Sequence, residues 1–410
     1  MLNKYRVLDL TDEKGMFCGK ILADLGAEVI KVERPGGDLA RNIGPFYHDE
    51  PDREMSLFWL AYNSSKKGIT LNLETKDGIE LFKQLVVQSD VVIESFDPGY
   101  MDKLGIGYAQ LKKLNGALVM TSITPFGQKG PYAKYKGTDI VCTAASGYMY
   151  LTGDADRAPV RMSFPFSYIQ GSAHAALGTM IALFGVRTNT KGQHVDVSLQ
   201  ESMVPQTVNS IPYWKLSQSI LKRAGQLRVG VGAGLKPRQT YRCKDGWVHS
   251  TIRGGPSHEK TNVALADWMR EENCADEFFN SVKWGTLDMM KIDQDFVEKT
   301  EKPIAKFFER HTKEELYIGG VQRHIDLFPA STAEDLSKNV HLNARNFWVD
   351  IQHKKPDATM KYPASFVKSS SANSRVRPAP RIGEHNEQIY TSLLELTHEE
   401  LETLSGGGVI

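Results

Sequence analysis

The chain has 410 residues, enough for two domains, and carries a formal charge of +1 from 50 basic and 49 acidic side chains. So balanced a charge argues against a general nucleic-acid or membrane-binding surface and leaves any anionic ligand to local clusters of cations. The four cysteines, Cys18, Cys142, Cys243 and Cys274, lie far apart without a CxxC pair, which predicts reduced, mostly packed thiols rather than metal ligands. No apolar run reaches membrane-spanning length and Met1–Arg6 lacks the apolar core of a signal peptide, so the expectation is a soluble cytoplasmic protein.

The first elements read as a βαβ unit. Tyr5–Leu10 predicts a short strand, Lys20–Leu25 a helix closed by Gly26, and Val29, Ile30 and Val32 a second strand. Arg34-Pro-Gly-Gly-Asp38 follows at the carboxyl end of that strand, the edge where open α/β sheets take their ligands, so Arg34 is placed to meet a phosphorylated group. Taken alone, the stretch also fits an ordinary strand exit. Onward to about Val197, strands at Ile69–Leu73, Val91–Glu94 and Ala117–Ser122 alternate with helices such as Lys76–Val87, which predicts an α/β, doubly wound sheet with helices on both faces.

The texture changes from about Arg228 to Phe328. Gln239–Thr251 predicts a β-hairpin turning at Lys244-Asp-Gly246, and charged amphipathic helices follow, Asp293–Arg310 among them. From about Thr332 short strands return, then a helix over Asn386–Leu396; Ser369–Ser371 and Gly406–Gly408 read as loop or tail. The expected division is a large α/β domain over 1–200, a linker helix over 201–227, a small domain over 228–328 and a return to the large domain over 329–410.

Separated blocks carry a family resemblance. They are Ala23–Asp38, Asn63-Ser-Ser-Lys-Lys-Gly-Ile-Thr-Leu-Asn-Leu73, Asp90-Val-Val-Ile-Glu-Ser-Phe-Asp-Pro-Gly99 with Leu104-Gly105, Thr190–Glu201, and Arg377-Pro-Ala-Pro-Arg-Ile-Gly-Glu-His385. In this order they resemble the family III CoA-transferases, which include formyl-CoA:oxalate, carnitine and benzylsuccinate CoA-transferases and alpha-methylacyl-CoA racemase. The resemblance implies a Rossmann-like large domain with a smaller inserted α+β domain, and two chains threaded through one another as an interlocked homo- or hetero-dimer. It also implies coenzyme A or an acyl-CoA as substrate, with a carboxylic acid as acceptor.

Position by position, the match assigns Arg34, Leu71, Ser95, Phe96, Lys103 and Lys136 to CoA binding. Arg34, Lys103 and Lys136 suit phosphates, Leu71 and Phe96 suit flat faces, and Ser95 offers a hydrogen bond. Solvated surface is the alternative for the lysines. Glu74 stands where the family tends to place a basic residue, with Lys76 nearby. His174 and His385 show no metal-ligand spacing, which predicts no metal.

Family members carry a nucleophilic Asp in an Asp-aromatic-x-x-Gly pattern followed by Ala-Leu-Gly. Here Ser167-Tyr-Ile-Gln-Gly171 and Ala176-Leu-Gly178 match, so Ser167 takes the Asp position. A carboxylate attacking an acyl-CoA gives a mixed anhydride, which the thiolate reopens into an aspartyl-CoA thioester, and the activation of the thioester survives. A serine would give an oxygen ester too stable for the thiolate to recapture. Ser167 therefore reads as inactive, an ordinary helix N-cap. Asp139, in Gly137-Thr-Asp139, matches an assisting acid, while Thr138 replaces the His of the racemases' proton-transfer pair, which argues against two-base racemisation.

The loop Thr11-Asp-Glu-Lys-Gly15 is one residue shorter than the family's usual first loop. Val229–Gly234 fits the family's mobile glycine segment, where Gly230, Gly232 and Gly234 would offer N–H groups to an oxyanion; a surface loop of no catalytic role fits equally. Arg161, Tyr168 and His174 are further candidates for facing the acyl group. Three functions remain compatible: a non-nucleophilic subunit paired with a catalytic sister chain, a self-sufficient acyl-CoA lyase, isomerase or hydrolase, and a CoA-binding structural or regulatory protein without turnover. The first fits best, since the scaffold is kept while nucleophile and first loop change together.

Overall fold

In the computed structural model, which describes residues 1–227, 234–370 and 376–410, six short strands run parallel in one sheet. They are β1 (Arg6–Leu10), β2 (Glu28–Glu33), β3 (Lys67–Thr70), β4 (Val91–Glu94), β5 (Val119–Thr124) and β6 (His194–Ser198), ordered β3-β2-β1-β4-β5-β6. Strand order reverses between β1 and β4, so their carboxyl ends form a topological switch point. The helices are α1 (Met16–Asp24), α2 (Leu57–Asn63), α3 (Lys76–Val87), α4 (Tyr100–Lys103), α5 (Tyr108–Leu114), α6 (Asp139–Ala145) and α7 (Phe166–Asn189).

Because both faces are covered, the strands are apolar on both sides. Val7, Val29 and Ile93 pack with α1 and α7, whereas Leu8, Ile30 and Val92 pack with α3, α5 and the closing helices Asn386–Leu394 and His398–Gly406. α7 is long and apolar enough, by length and composition, to cross a membrane, which the sequence reading did not anticipate. Its inner face instead lies in the core with β5 and β6, Gly178 against Val195 and Gly171 against Leu199.

By its packing the chain divides into two units. One holds Met1–Met149, Arg161–Ile211 and His341–Ile410; the other holds Tyr150–Val160 and Pro212–Val340. In the second, the expected hairpin is present as strands Thr240–Cys243 and Gly246–His249, joined by Phe328–Pro329. Helix Gln294–Glu309 is capped by Asp293, whose carboxylate accepts the Phe296 N–H at 2.8 Å, and it buries Phe307 and Phe308 against Tyr241 and Trp268. The chain over 201–227 is not one helix: Leu199–Met203, a 3-10 turn at Val204–Thr207 and Ser210–Ser217 follow one another. Pro205 and Pro212, which lack the N–H a helix interior requires, interrupt it. The returning strands are present as Trp348–Lys354 and Asp357–Pro363, which among the described residues pair with each other, and a further helix not expected from sequence, His398–Gly406, is started by a capping box of Thr397 and Glu400.

The ends of β1 and β2 bury charge. Lys66 Nζ donates to Asp9 Oδ2, Met16 O and Asn63 Oδ1, each at 2.8 Å, and Lys31 Nζ lies 3.9 Å from Asp9 Oδ1 and 3.4 Å from Asp38 Oδ2. Beside them Arg41 clasps Glu33 at 2.6 and 2.8 Å, reaches Glu54 at 2.9 Å, and stacks over Trp59. Burial opposes the ionisation of Asp9, but Lys66 and then Lys31 overcome it and hold its carboxyl below the ordinary value of 3.8. The α1 helix must come close to admit this, and a Cβ at Gly19 would overlap the Asp9 carboxylate.

Lys66→Met leaves Asp9 with a distant ammonium in place of a bonded one and is expected to cost about 3–5 kcal/mol at neutral pH. Denaturant unfolding measures it, and a loss under about 1 kcal/mol would mean the cluster is dispensable. Asp9's share of stability is complete above pH 3.8 and is lost as pH falls through its lower folded-state value.

Candidate active site

The exits of β1, β2, β3 and β4 surround a cavity of about 660 Å³. Arg34 enters from β2, Leu71 and Glu74 from β3, Ser95 and Phe96 from β4, and Asp12 and Glu13 from the loop between β1 and α1. β3 ends at Thr70, short of the Leu73 expected, so Leu71–Glu74 can peel away and form wall. Arg34 is exposed, with its Nε donating to Gly37 O at 3.4 Å, and is the one cation among the described lining residues. Phe96 and Tyr100 make a tilted aromatic pair, ring centroids 4.8 Å apart, and with Leu71 give the cavity a flat apolar side.

Ser95 closes the first loop rather than standing free. Its hydroxyl donates to Asp12 Oδ1 at 2.7 Å and accepts the Asp12 N–H at 2.8 Å. The Asp12 carbonyl then takes the N–H groups of Gly15 and Met16, which starts α1 at Met16, ahead of the Lys20 expected. Lys14 pairs with Asp12, and its carbonyl accepts the Ser172 hydroxyl of α7 at 3.2 Å. Arg34, Leu71, Ser95 and Phe96 thus come together at the cavity. Lys103 and Lys136 stand outside its lining: both are exposed, and Lys136 pairs with Asp97.

Ser167 is completely buried, and α7 begins one residue before it, so it lies inside the first helical turn and is not the N-cap. Its N–H and its Oγ both donate to Asp139 Oδ1, each at 2.8 Å. The cap of α7 is therefore the Asp139 carboxylate, which leads α6 and is itself 7% exposed. The Asp139 N–H in turn donates to Tyr168 Oη at 3.0 Å, and Arg161 Nη1 approaches Asp139 Oδ2 at 3.9 Å. His174 pairs with Gln170 at 3.0 Å.

Burial, followed by the charge of Glu13, pushes the Tyr168 phenol well above its ordinary value, so it stays neutral; burial and then Asp12 raise Glu13 itself. The start of α7, which carries Ser167 and Tyr168, is tied to the first loop by the Ser172 hydroxyl on Lys14 O. Gly230 and Gly232 lie outside the described residues; Gly234 is exposed with φ of +84°. Among the described residues no cluster of three His, Cys, Asp or Glu side chains is arranged to hold a metal.

Sequence reasoning missed Asp12, Glu13 and Tyr100 as cavity residues. A usable signal existed for Asp12 and Glu13, which lie directly past the end of β1 at the switch point. The bond between Asp139 and Ser167, 28 residues apart, left no trace in spacing.

Comparison with known proteins agrees with this arrangement. The family model described as CoA-transferase family III matches residues 2–386. The chain is 35% identical over 393 residues to subunit BbsE of succinyl-CoA:(R)-benzylsuccinate CoA-transferase from Thauera aromatica, covering 94% of this chain and 93% of that one. It is 30% identical over 412 residues to succinyl-CoA–D-citramalate CoA-transferase from Chloroflexus aurantiacus, covering 100% and 98%. Among solved structures, a CAIB/BAIF family protein from Brucella suis is similar with a TM-score of 0.79 at 27% identity, covering 96% of this chain and 99% of that one. A match this long, running through the cavity exits and the α6–α7 turn alike, makes the chain a member of CoA-transferase family III.

Proposed function

We propose that this chain is the non-nucleophilic subunit of a heteromeric acyl-CoA:carboxylate CoA-transferase, of the succinyl-CoA:benzylsuccinate type, interlocked with a related chain that supplies the nucleophilic aspartate. The observation that carries the reading is the buried Ser167 hydroxyl given over to Asp139 Oδ1 at 2.8 Å, Ser167 being the residue that the resemblance assigns to the nucleophile position. An alkoxide is needed for attack, and a carboxylate is a poor base for a hydroxyl; among the described residues the Ser167 hydroxyl bonds Asp139 alone. The similarity to a chain whose name makes it a subunit supports the same reading.

CoA binding by this chain rests on the cavity. Arg34 would meet a phosphate, the adenine would lie against Leu71, Phe96 and Tyr100, and the acyl end would point toward the first loop, where Glu13 and Tyr168 stand. Lys103 and Lys136 remain phosphate candidates only through the resemblance.

Three measurements test this. The purified chain alone is expected to move CoA between succinyl-CoA and carboxylic acids at background rate, and robust transfer by a homo-oligomer would overturn the reading. Ser167→Ala is expected to leave the assembled complex nearly as active, at a stability cost of about 1–2 kcal/mol for one charge-assisted hydrogen bond. A serine-dependent hydrolase would instead lose activity by several orders of magnitude. Arg34→Ala is expected to weaken CoA binding roughly tenfold by calorimetry, as the loss of one charged contact does, and an unchanged affinity would remove the cavity from the CoA site.

A further inference from the structure

Three successive residues at the end of β4 have separate tasks. Ser95 ties the first loop, Phe96 forms cavity wall, and Glu94, which is not part of the cavity lining, is 3% exposed with its Oε2 accepting the Phe96 N–H at 2.7 Å. We infer that Glu94 is the positioning residue of the cavity's aromatic wall, holding the Phe96 turn by a bond whose strength follows the charge on its own carboxyl. The inference rests on the reading of the cavity as the CoA site.

No ion pair neutralises Glu94 among the described residues. The charged groups facing it are Asp12 and Lys14 of the first loop. From β5 the Ser122 hydroxyl reaches it, and Ser122 also bonds His194 Nε2 of β6 at 2.9 Å. His194 stacks on Tyr108 with ring centroids 5.3 Å apart and has Asp196, Asp102 and Lys129 around it; burial keeps its imidazole below the ordinary value, so it is neutral near pH 7. Burial foremost, with Asp12 adding, pushes Glu94 up to about 7, against Ser122, the Phe96 N–H and Lys14, which act to lower it. The carboxyl therefore changes charge near neutrality. An ionised carboxylate is the stronger acceptor, so the Phe96 turn is tight above that pH and looser below it.

The sign for stability is opposite to that for order at Phe96. A folded-state value raised from 4.5 to about 7 means that the stability due to neutral Glu94 is complete below pH 4.5 and is lost as pH rises through about 7.

The test compares the full wild-type chain with Glu94→Gln, which keeps a carbonyl acceptor but never ionises. In the free proteins, hydrogen exchange at the Phe96 amide, corrected for the intrinsic rate, is expected to slow through about pH 7 in wild type and to show no such step in the variant. The melting temperature of wild type relative to the variant is expected to fall as pH rises from about 4.5 to about 7 and to level off above it. With CoA as probe, the ratio of wild-type to variant affinity is expected to rise roughly tenfold from about pH 6 to about pH 8, the ligand's own phosphate titration cancelling in the ratio. Identical exchange profiles at Phe96 in both proteins would overturn the inference, whether or not CoA binds. Loss of CoA binding at every pH with the Phe96 step intact would instead sink the CoA reading and leave Glu94 as positioning residue. If Glu94→Gln does not fold, Ser122→Ala serves: without the hydroxyl that lowers Glu94, the wild-type midpoint is expected to move upward, and an unmoved midpoint overturns the assignment.

Discussion

The buried bond between Lys66 and Asp9 is the constraint from which the site follows. Asp9 sits on the strand next to the switch point, and ionising it there without a partner would be prohibitive. Lys66, delivered by the turn after α2, answers it and at the same time bonds the start of α1 through Met16 O, so one ammonium fixes β1, α1 and the approach to β3 together. The second ammonium, Lys31, reaches across to Asp38 and the Thr11 carbonyl, which sets both the first loop and the turn carrying Arg34. Such clusters are poor sources of net stability compared with apolar packing, since desolvation opposes them. What this one provides is geometry: strand ends and loops whose positions are tied to the same few charges.

That wiring accounts for the charge of the cavity. Carboxylates outnumber cations in its lining, which at first sight is a poor setting for a polyphosphate. Yet Glu33 is held by Arg41, Asp38 by Lys31 and Asp12 by Lys14, so those charges are largely answered from behind. Glu13 is raised toward its neutral form by burial and by Asp12. Arg34, exposed at the rim, is left as the cation with least competition, and its field is what an approaching anion meets. The overall charge of +1 says nothing of this, because the selection is made by pairing rather than by composition.

The parts of the fold that sequence made legible were those governed by local periodicity. Helix Lys76–Val87 and strand Val91–Glu94 occur at the residues expected, and so does the hairpin around Lys244–Gly246, because amphipathic spacing and turn chemistry act within a few residues. The start of α1 was misread because the Asp12 carbonyl takes up the Gly15 and Met16 N–H groups within a loop that Ser95, 83 residues away, holds. At the site, Arg34 was accessible from the rule that strand ends carry ligands, whereas Leu71 and Phe96 were reached only through the family resemblance. Lys103 and Lys136 were not separable from ordinary surface lysines by that rule, and neither lines the cavity.

The α6–α7 turn explains why Ser167 and Asp139 belong together. Asp139 Oδ1 receives two donors from residue 167, the backbone N–H and the hydroxyl, so its charge is spent on the positive end of α7. An aspartate at 167 would bring a second carboxylate within hydrogen-bond reach of the first, and the two would share a proton rather than both ionise. One would rise in pKa, and the cap on α7 would weaken or pass to another group. The serine present avoids that tension, since it donates to Asp139 where an ionised aspartate would repel it. Under the proposed reading, the serine that satisfies this turn is also a residue that brings no carboxylate for a thioester exchange.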